Sequence, residues 1–163
     1  MKTNLIILRR SRFDGARSNT FGDFVCMACH RFVSAEAELS NVHNRNHCPY
    51  CLSSRHLDLY EAGDRLSACK ARMKPLTLTF KKTRKKYAGA DRGELMLVHR
   101  CDDCGKLSLN RIAADDDVEN VLELSEDRPA LDEATRAILT RNGVLPLEPA
   151  DRPLARRQLL GRP

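Results

Sequence analysis

Three Cys-x2-Cys pairs, Cys26/Cys29, Cys48/Cys51 and Cys101/Cys104, constrain this chain of 163 residues more than any other feature. Two thiolates three residues apart in a tight turn can take adjacent corners of a tetrahedron, and two such turns close a structural zinc site. One pair would say little. Three pairs, with 18 residues between the first two, predict a zinc ribbon. Cys69 brings the thiols to seven, an odd number that a pure disulfide framework would leave unbalanced.

Two tetrahedral sites need one nitrogen beside these sulfurs. His56 follows Cys51 at Cys-x2-Cys-x4-His spacing and ranks first. His99, two before Cys101 on an expected strand, and His47, directly before Cys48, rank behind it, with His43 and His30 also candidates. The expected ligands are therefore Cys26, Cys29, Cys48, Cys51, His56, Cys69, Cys101 and Cys104, holding two Zn2+. Their grouping is open. Either Cys26, Cys29, Cys48 and Cys51 form one site, leaving His56, Cys69, Cys101 and Cys104, or Cys48, Cys51, His56 and Cys69 do, leaving the outer pairs. The bland alternatives are buried thiols, or a single zinc with spare cysteines. Redox use is disfavoured because no βαβ pattern flanks a pair. Catalytic zinc wants three protein ligands and an open position, whereas eight donors fill two closed sites. No enzyme is expected.

Composition supports a metal-stapled scaffold. Five Phe, three Tyr and no Trp are a thin supply of large core side chains. The early apolar run Leu5 to Leu8 is too short for a secretion signal, and no stretch approaches a membrane span. A cytoplasmic location follows as the expectation, and reduced thiols with it.

Charge divides the chain. Residues 1–110 carry 20 basic and 11 acidic side chains, while residues 111–163 carry 8 and 11. All cysteines and histidines lie in the first part. The expected organisation is a basic arm over 1–20, a small β-rich zinc-binding domain over 21–113 and a helical, then extended, C-terminal extension over 114–163. Leu76–Phe80 and Glu94–Val98 read as strands joined by a long hairpin tip. Asp115, Asp116 and Asp117 suit a helix N-terminus rather than a magnesium site, with Val118, Val121, Leu122 and Leu124 at helical spacing behind them. A second helix is expected from Leu131 to Asn142, stopped by Gly143. Pro146, Pro149, Pro153 and Pro163 predict an extended tail. Phe21, Phe24 and Phe32 are expected to pack beneath the first knuckle, and Asp64 to pair with Arg65.

The run Arg45-Asn46-His47-Cys48-Pro49-Tyr50-Cys51-Leu52 resembles the signature of the RNHCP domain family. The likeness continues through Ser54, His56, Asp58, Gly63-Asp64-Arg65, Cys69, Met73 and Pro75. It resumes at His99-Arg100-Cys101, Cys104-Gly105, Asn110-Arg111 and Asp115-Asp116, covering about residues 21–117. The resemblance implies a small bacterial zinc-ribbon-like domain more than an activity. The arm before Phe21 and the tail after Asp117 lie outside it, and the basic loop at 81–86 looks enlarged.

Lys81, Lys82, Arg84, Lys85 and Lys86 place five cations in six residues, and Arg9, Arg10, Arg12 and Arg17 lie in the N-terminal arm. Lys70, Arg72 and Lys74 stand upstream of the run, and Arg156, Arg157 and Arg162 near the C-terminus. Such clusters attract phosphates and release condensed counterions; the alternative is a merely solvated surface. Asn46, His47 and Tyr50 either contact RNA or shape the turn. The expectation is a non-catalytic protein binding structured RNA, most plausibly ribosomal RNA, as a ribosomal or ribosome-associated component beside neighbouring ribosomal proteins. The rival is a zinc-dependent protein-interaction or transcription-associated module, suggested by the acidic helical extension.

Overall fold

The structure, a computed structural model, describes residues 22–81, 93–126 and 131–161. Its centre is a four-stranded antiparallel sheet of β3 (Ser54–Arg55), β4 (Arg72–Lys81), β5 (Glu94–Cys101) and β6 (Leu107–Arg111), paired in that order. A separate hairpin joins β1 (Phe24–Val25) to β2 (Phe32–Val33), and a single helical turn, α1 (Ala37–Ser40), follows it. Three longer helices close the chain: α2 (Val118–Glu126), α3 (Glu133–Arg141) and α4 (Arg152–Leu160).

The two expected strands are the cores of β4 and β5, which pair from Met73↔Cys101 to Lys81↔Glu94. Pro75 has no N–H to donate, and the register shifts between Pro75 and Thr77, where a strand proline is tolerated at an irregularity. Leu95 through His99 are all buried, the pattern of a strand covered on both faces. Leu95 and Leu97 pack with Leu78, Val121 and Leu124 of α2 and Ala155 of α4. Val98 packs with Leu139 of α3 and Val144. The extension thus supplies much of the apolar core that the aromatic-poor sheet lacks. It also covers β4 beyond its short pairing with β3: Leu147 N–H donates to the Leu78 carbonyl (2.8 Å) and Thr79 Oγ1 to that of Leu145 (2.7 Å).

Asp132 caps α3 by accepting from Thr135 N–H (2.7 Å), and Gly143 beyond its end has a φ of 70°. The extended tail needs correction, because residues 152–160 are helical. Pro149 and Pro153 occupy first-turn positions of a short 3-10 turn and of α4, where a missing N–H costs no helical bond. A second correction concerns Phe32, which lies 61% exposed, while Phe24 does pack against the first knuckle. Phe21 lies outside the described residues.

Candidate metal centres

The three Cys-x2-Cys turns share one backbone design. In each, the N–H four residues after the first cysteine donates back to that cysteine's carbonyl: His30 to Cys26 (3.0 Å), Leu52 to Cys48 (2.9 Å) and Gly105 to Cys101 (3.2 Å). The cysteine's own N–H donates to the carbonyl five residues on, at Arg31, Ser53 and Lys106, each at 2.9 Å. Closing that loop forces the fourth residue into the left-handed region, with φ of 59° at His30, 58° at Leu52 and 72° at Gly105. Both sulfurs of a pair are thereby presented on one side of the turn.

The turns then meet in two clusters. Cys26, Cys29, Cys48 and Cys51 form the first, and His56, Cys69, Cys101 and Cys104 the second, with ligand atoms in each within 4.8 Å of one another. This resolves the grouping that spacing left open. Sulfurs stand 3.6 Å apart for Cys26–Cys51, Cys29–Cys48 and Cys69–Cys101. Sulfurs bound at about 2.3 Å to one tetrahedral zinc lie roughly 3.8 Å apart, so the spacing fits metal ligation; a disulfide would need about 2 Å. The His56 ring turns Nδ1 toward Cys104 Sγ (3.3 Å), while its Nε2 is buried without a hydrogen-bond partner among the described residues.

The thiols of the two clusters are shifted in both directions. Burial opposes ionisation of Cys29, yet the backbone N–H of Arg31 and the sulfurs of Cys48, Cys51 and Cys26 draw it down to about 7. Burial pushes the Cys48 and Cys51 thiols up. In the second cluster the Ala71 backbone N–H favours the Cys69 thiolate, but desolvation and the neighbouring Cys101, Asp103 and Cys104 hold it up to about 11. Cys101 is drawn below its ordinary value despite burial, by the backbone N–H groups of Cys104 and Asp103. Burial, then Lys106, lowers the His56 pKa, which favours the neutral imidazole that binds metal. Four soft thiolates, and three with one imidazole, are both zinc donor sets, and the chain carries one centre of each kind.

His47 and His99 are not ligands. His99 is fully buried, within 2.7 Å of the Leu52 carbonyl through Nε2 and 2.9 Å of Asn110 Nδ2 through Nδ1. His47 Nε2 lies 2.9 Å from both oxygens of Asp116. Asp116 also accepts from Ala113 N–H (2.8 Å) and from Arg45 Nη2 (3.3 Å). Arg45 Nη1 reaches Asp115 (2.7 Å), and its Nε donates to the His47 carbonyl (3.2 Å). The Arg45 side chain is 0% exposed and that of Asp116 1%. Together they clasp the second knuckle to the turn before α2. Asp117 N–H adds a bond to the Pro49 carbonyl (2.9 Å). Only Asp117 caps α2, accepting from the N–H groups of Glu119 and Asn120, so the capping reading of Asp115 and Asp116 is corrected. Spacing gave no hint of a pairing between residues 45 and 116. Asp64 accepts from the N–H groups of Leu59, Tyr60, Glu61 and Leu66 and its charge also acts on Arg65, which approaches Asp58 (3.8 Å).

Of the expected nucleic-acid contacts, Lys81 is exposed at the end of β4. Arg9, Arg10, Arg12, Arg17, Lys82, Arg84, Lys85 and Lys86 lie outside the described residues, as does Arg162. Arg72 and Lys74 are both held by Asp102 (2.7 and 3.4 Å), and Lys70 Nζ donates to the Arg65 carbonyl (2.9 Å). Asn46 and His47 are buried, which favours the turn-shaping role. Among the described residues no helix is long and apolar enough to cross a membrane.

Neither a search of curated proteins nor one of solved structures finds a match. The RNHCP domain profile matches residues 21–122, taking in all eight ligands, the Arg45–Asp116 clasp and the first turn of α2, and the chain belongs to the RNHCP domain family.

Proposed function

We propose that this protein is a non-catalytic zinc module that binds structured RNA, most plausibly ribosomal RNA, in the cytoplasm. The observation that carries the reading is the charge segregation, 20 basic against 11 acidic side chains over residues 1–110, with five cations in six residues from Lys81. The first residue of that run, Lys81, ends β4 opposite Glu94. The second metal cluster lies at the other end, beside Met73↔Cys101, roughly 23 Å away at strand rise. The proposed division of labour is that metal fixes the scaffold and the distal cations sit on phosphates. A non-catalytic role is supported by the four donors in each cluster and by a His47 imidazole held by Asp116. The protein-partner rival drew on the helical extension, but Val121, Leu124, Leu139 and Ala155 are already buried against the sheet.

Cosedimentation with ribosomes through sucrose tests the reading. The full chain travels with ribosomes at low salt and is released as salt rises. Neutralising the run at 81–86 flattens the salt dependence by roughly 0.7–0.9 logarithmic units for each phosphate that the run no longer neutralises. Free protein at the top of the gradient in low salt, carrying no RNA, would refute it.

A further inference from the structure

A chain with eight aromatic side chains and no tryptophan is expected to bury them. Of the five described aromatics, Phe24 and Phe80 pack against cores, but Phe32 is 61%, Tyr50 45% and Tyr60 83% exposed. The register of the first hairpin shows that the exposure of Phe32 is built in. Phe24 opposes Val33 and Val25 opposes Phe32. Val33 is 1% exposed and packs with Phe24 against the first metal cluster, so the alternate pair faces outward. Val25, 60% exposed, and Phe32 therefore form a cross-strand apolar pair on the outer face of the knuckle, with Met27 49% exposed nearby.

A cleft that includes Val25 opens here, lined also by Met27, Ser53, Arg55 and Leu57. Among the described residues its charged lining is Arg55, which is exposed, and Arg45, whose side chain is buried in its ion pairs with Asp115 and Asp116. Arg31, next to Phe32 in sequence, lies over the Tyr50 ring at 4.9 Å. An exposed aromatic flanked by the exposed guanidinium groups of Arg31 and Arg55 suits a base with its phosphates, since bases stack on aromatic faces and guanidinium groups hold the backbone. An acidic or mixed rim would suit a protein instead.

We infer that the outer face of the first knuckle, Phe32 and Val25 with the adjoining cleft, stacks an unpaired base of the bound RNA, while Arg31 and Arg55 hold the flanking phosphates. The inference rests on the RNA reading above and adds to it a contact that is not electrostatic. Binding to the cationic run falls with salt; stacking on Phe32 does not.

The test uses the full-length, zinc-loaded protein with two fluorescein-labelled RNAs, a hairpin with a seven-nucleotide loop and a fully paired duplex of the same stem. Phe32→Ala is expected to weaken hairpin binding about tenfold, leaving the salt slope and the duplex affinity unchanged. Phe32→Trp retains binding, and Val25→Ser weakens it less. Zinc content and melting temperature serve as folding controls for each variant. Wild-type affinity in Phe32→Ala, with loss of both RNAs on neutralising residues 81–86, would overturn the stacking face and leave the RNA reading standing. A wild-type protein that binds neither RNA at low salt would remove both. Self-association in the ultracentrifuge that Phe32→Ala abolishes would assign the face to a second copy and also overturn the inference.

Discussion

The two metal centres use the same turn and differ in what surrounds it. In the first, Cys26 and Cys48 are buried, Cys29 and Cys51 are half-buried, and Val33, Phe24 and Ala28 pack around the sulfurs. The second has His56 and Cys101 buried, Cys69 half-buried and Cys104 exposed. Its neighbours are charged: Asp103 lies 3.4 Å from Cys69 Sγ, and Lys106 faces His56. The first centre is continuous with a small apolar core, whereas the second staples a strand end to a loop at the surface. Ligand identity therefore does not set how much of the fold depends on a metal; the packing around the ligands does.

The largest test of that contrast sets Cys48→Ser against Cys104→Ser. Cys48 is fully buried, and the binding energy of a structural zinc, about 10–16 kcal/mol in small peptides, is folding energy. Cys48→Ser is expected to unfold the ribbon, with loss of metal and of cooperative melting. Cys104→Ser should lose one zinc and keep the fold, as read by metal analysis and circular dichroism. Equal unfolding in both variants would break the comparison.

Next in size is the clasp between the first centre and the helices. Asp116→Asn leaves the fully buried Arg45 with Asp115 alone, and removing one partner of a buried ion pair costs about 3–5 kcal/mol. Chemical denaturation measures it. A loss below about 1 kcal/mol would mean that the knuckle is held by its metal and not by the clasp.

Much of this was legible in the sequence, and the failures share a physical cause. The ligand set could be counted because Cys-x2-Cys is a local geometry. Its partition could not, because both groupings use the same donors. The choice is made by tertiary pairing: Met73 opposite Cys101 in β4–β5, and His56 N–H on the Ala71 carbonyl (2.8 Å). The signature at residues 45–52 is visible in the chain, but the roles of Arg45 and His47 are not, because their partner lies far off at Asp116. Pro149 and Pro153 read as helix breakers, whereas tolerance of proline depends on its position within the first turn.

A smaller effect concerns the loop between His56 and Cys69, the longest gap without a ligand inside the second centre's first half. Asp64 closes it, and the N–H groups of Leu66 and Glu61, then Leu59 and Tyr60, hold its carboxyl well below the usual carboxylate range. A depressed folded pKa gives stability that is present above the ordinary value near 4 and is lost as pH falls toward the folded one. Lowering the pH from 7 to 5 should therefore leave amide protection at residues 59, 60, 61 and 66 unchanged by ionisation of Asp64. Asp64→Asn should reduce that protection at both values. Protection that the substitution leaves intact would show that the metal alone orders the loop.

The smallest effect probes what the two centres have in common. Each knuckle needs a left-handed residue at the same place, and only the third, in the second centre, has glycine there. A Cβ on Gly105 would meet nothing nearer than the Arg100 guanidinium at 3.9 Å, so Gly105→Ala tests backbone strain alone. The left-handed penalty of about 1–2 kcal/mol, offset by roughly half through the lost chain entropy of glycine, predicts a net cost of about 1 kcal/mol. His30→Gly in the first centre removes the same strain and should gain about 0.5 kcal/mol, because glycine's own entropy works against it. Thermal melting at saturating zinc reads both. If His30→Gly instead destabilises, the buried centre draws on the His30 side chain itself, and the turn is not interchangeable between the two.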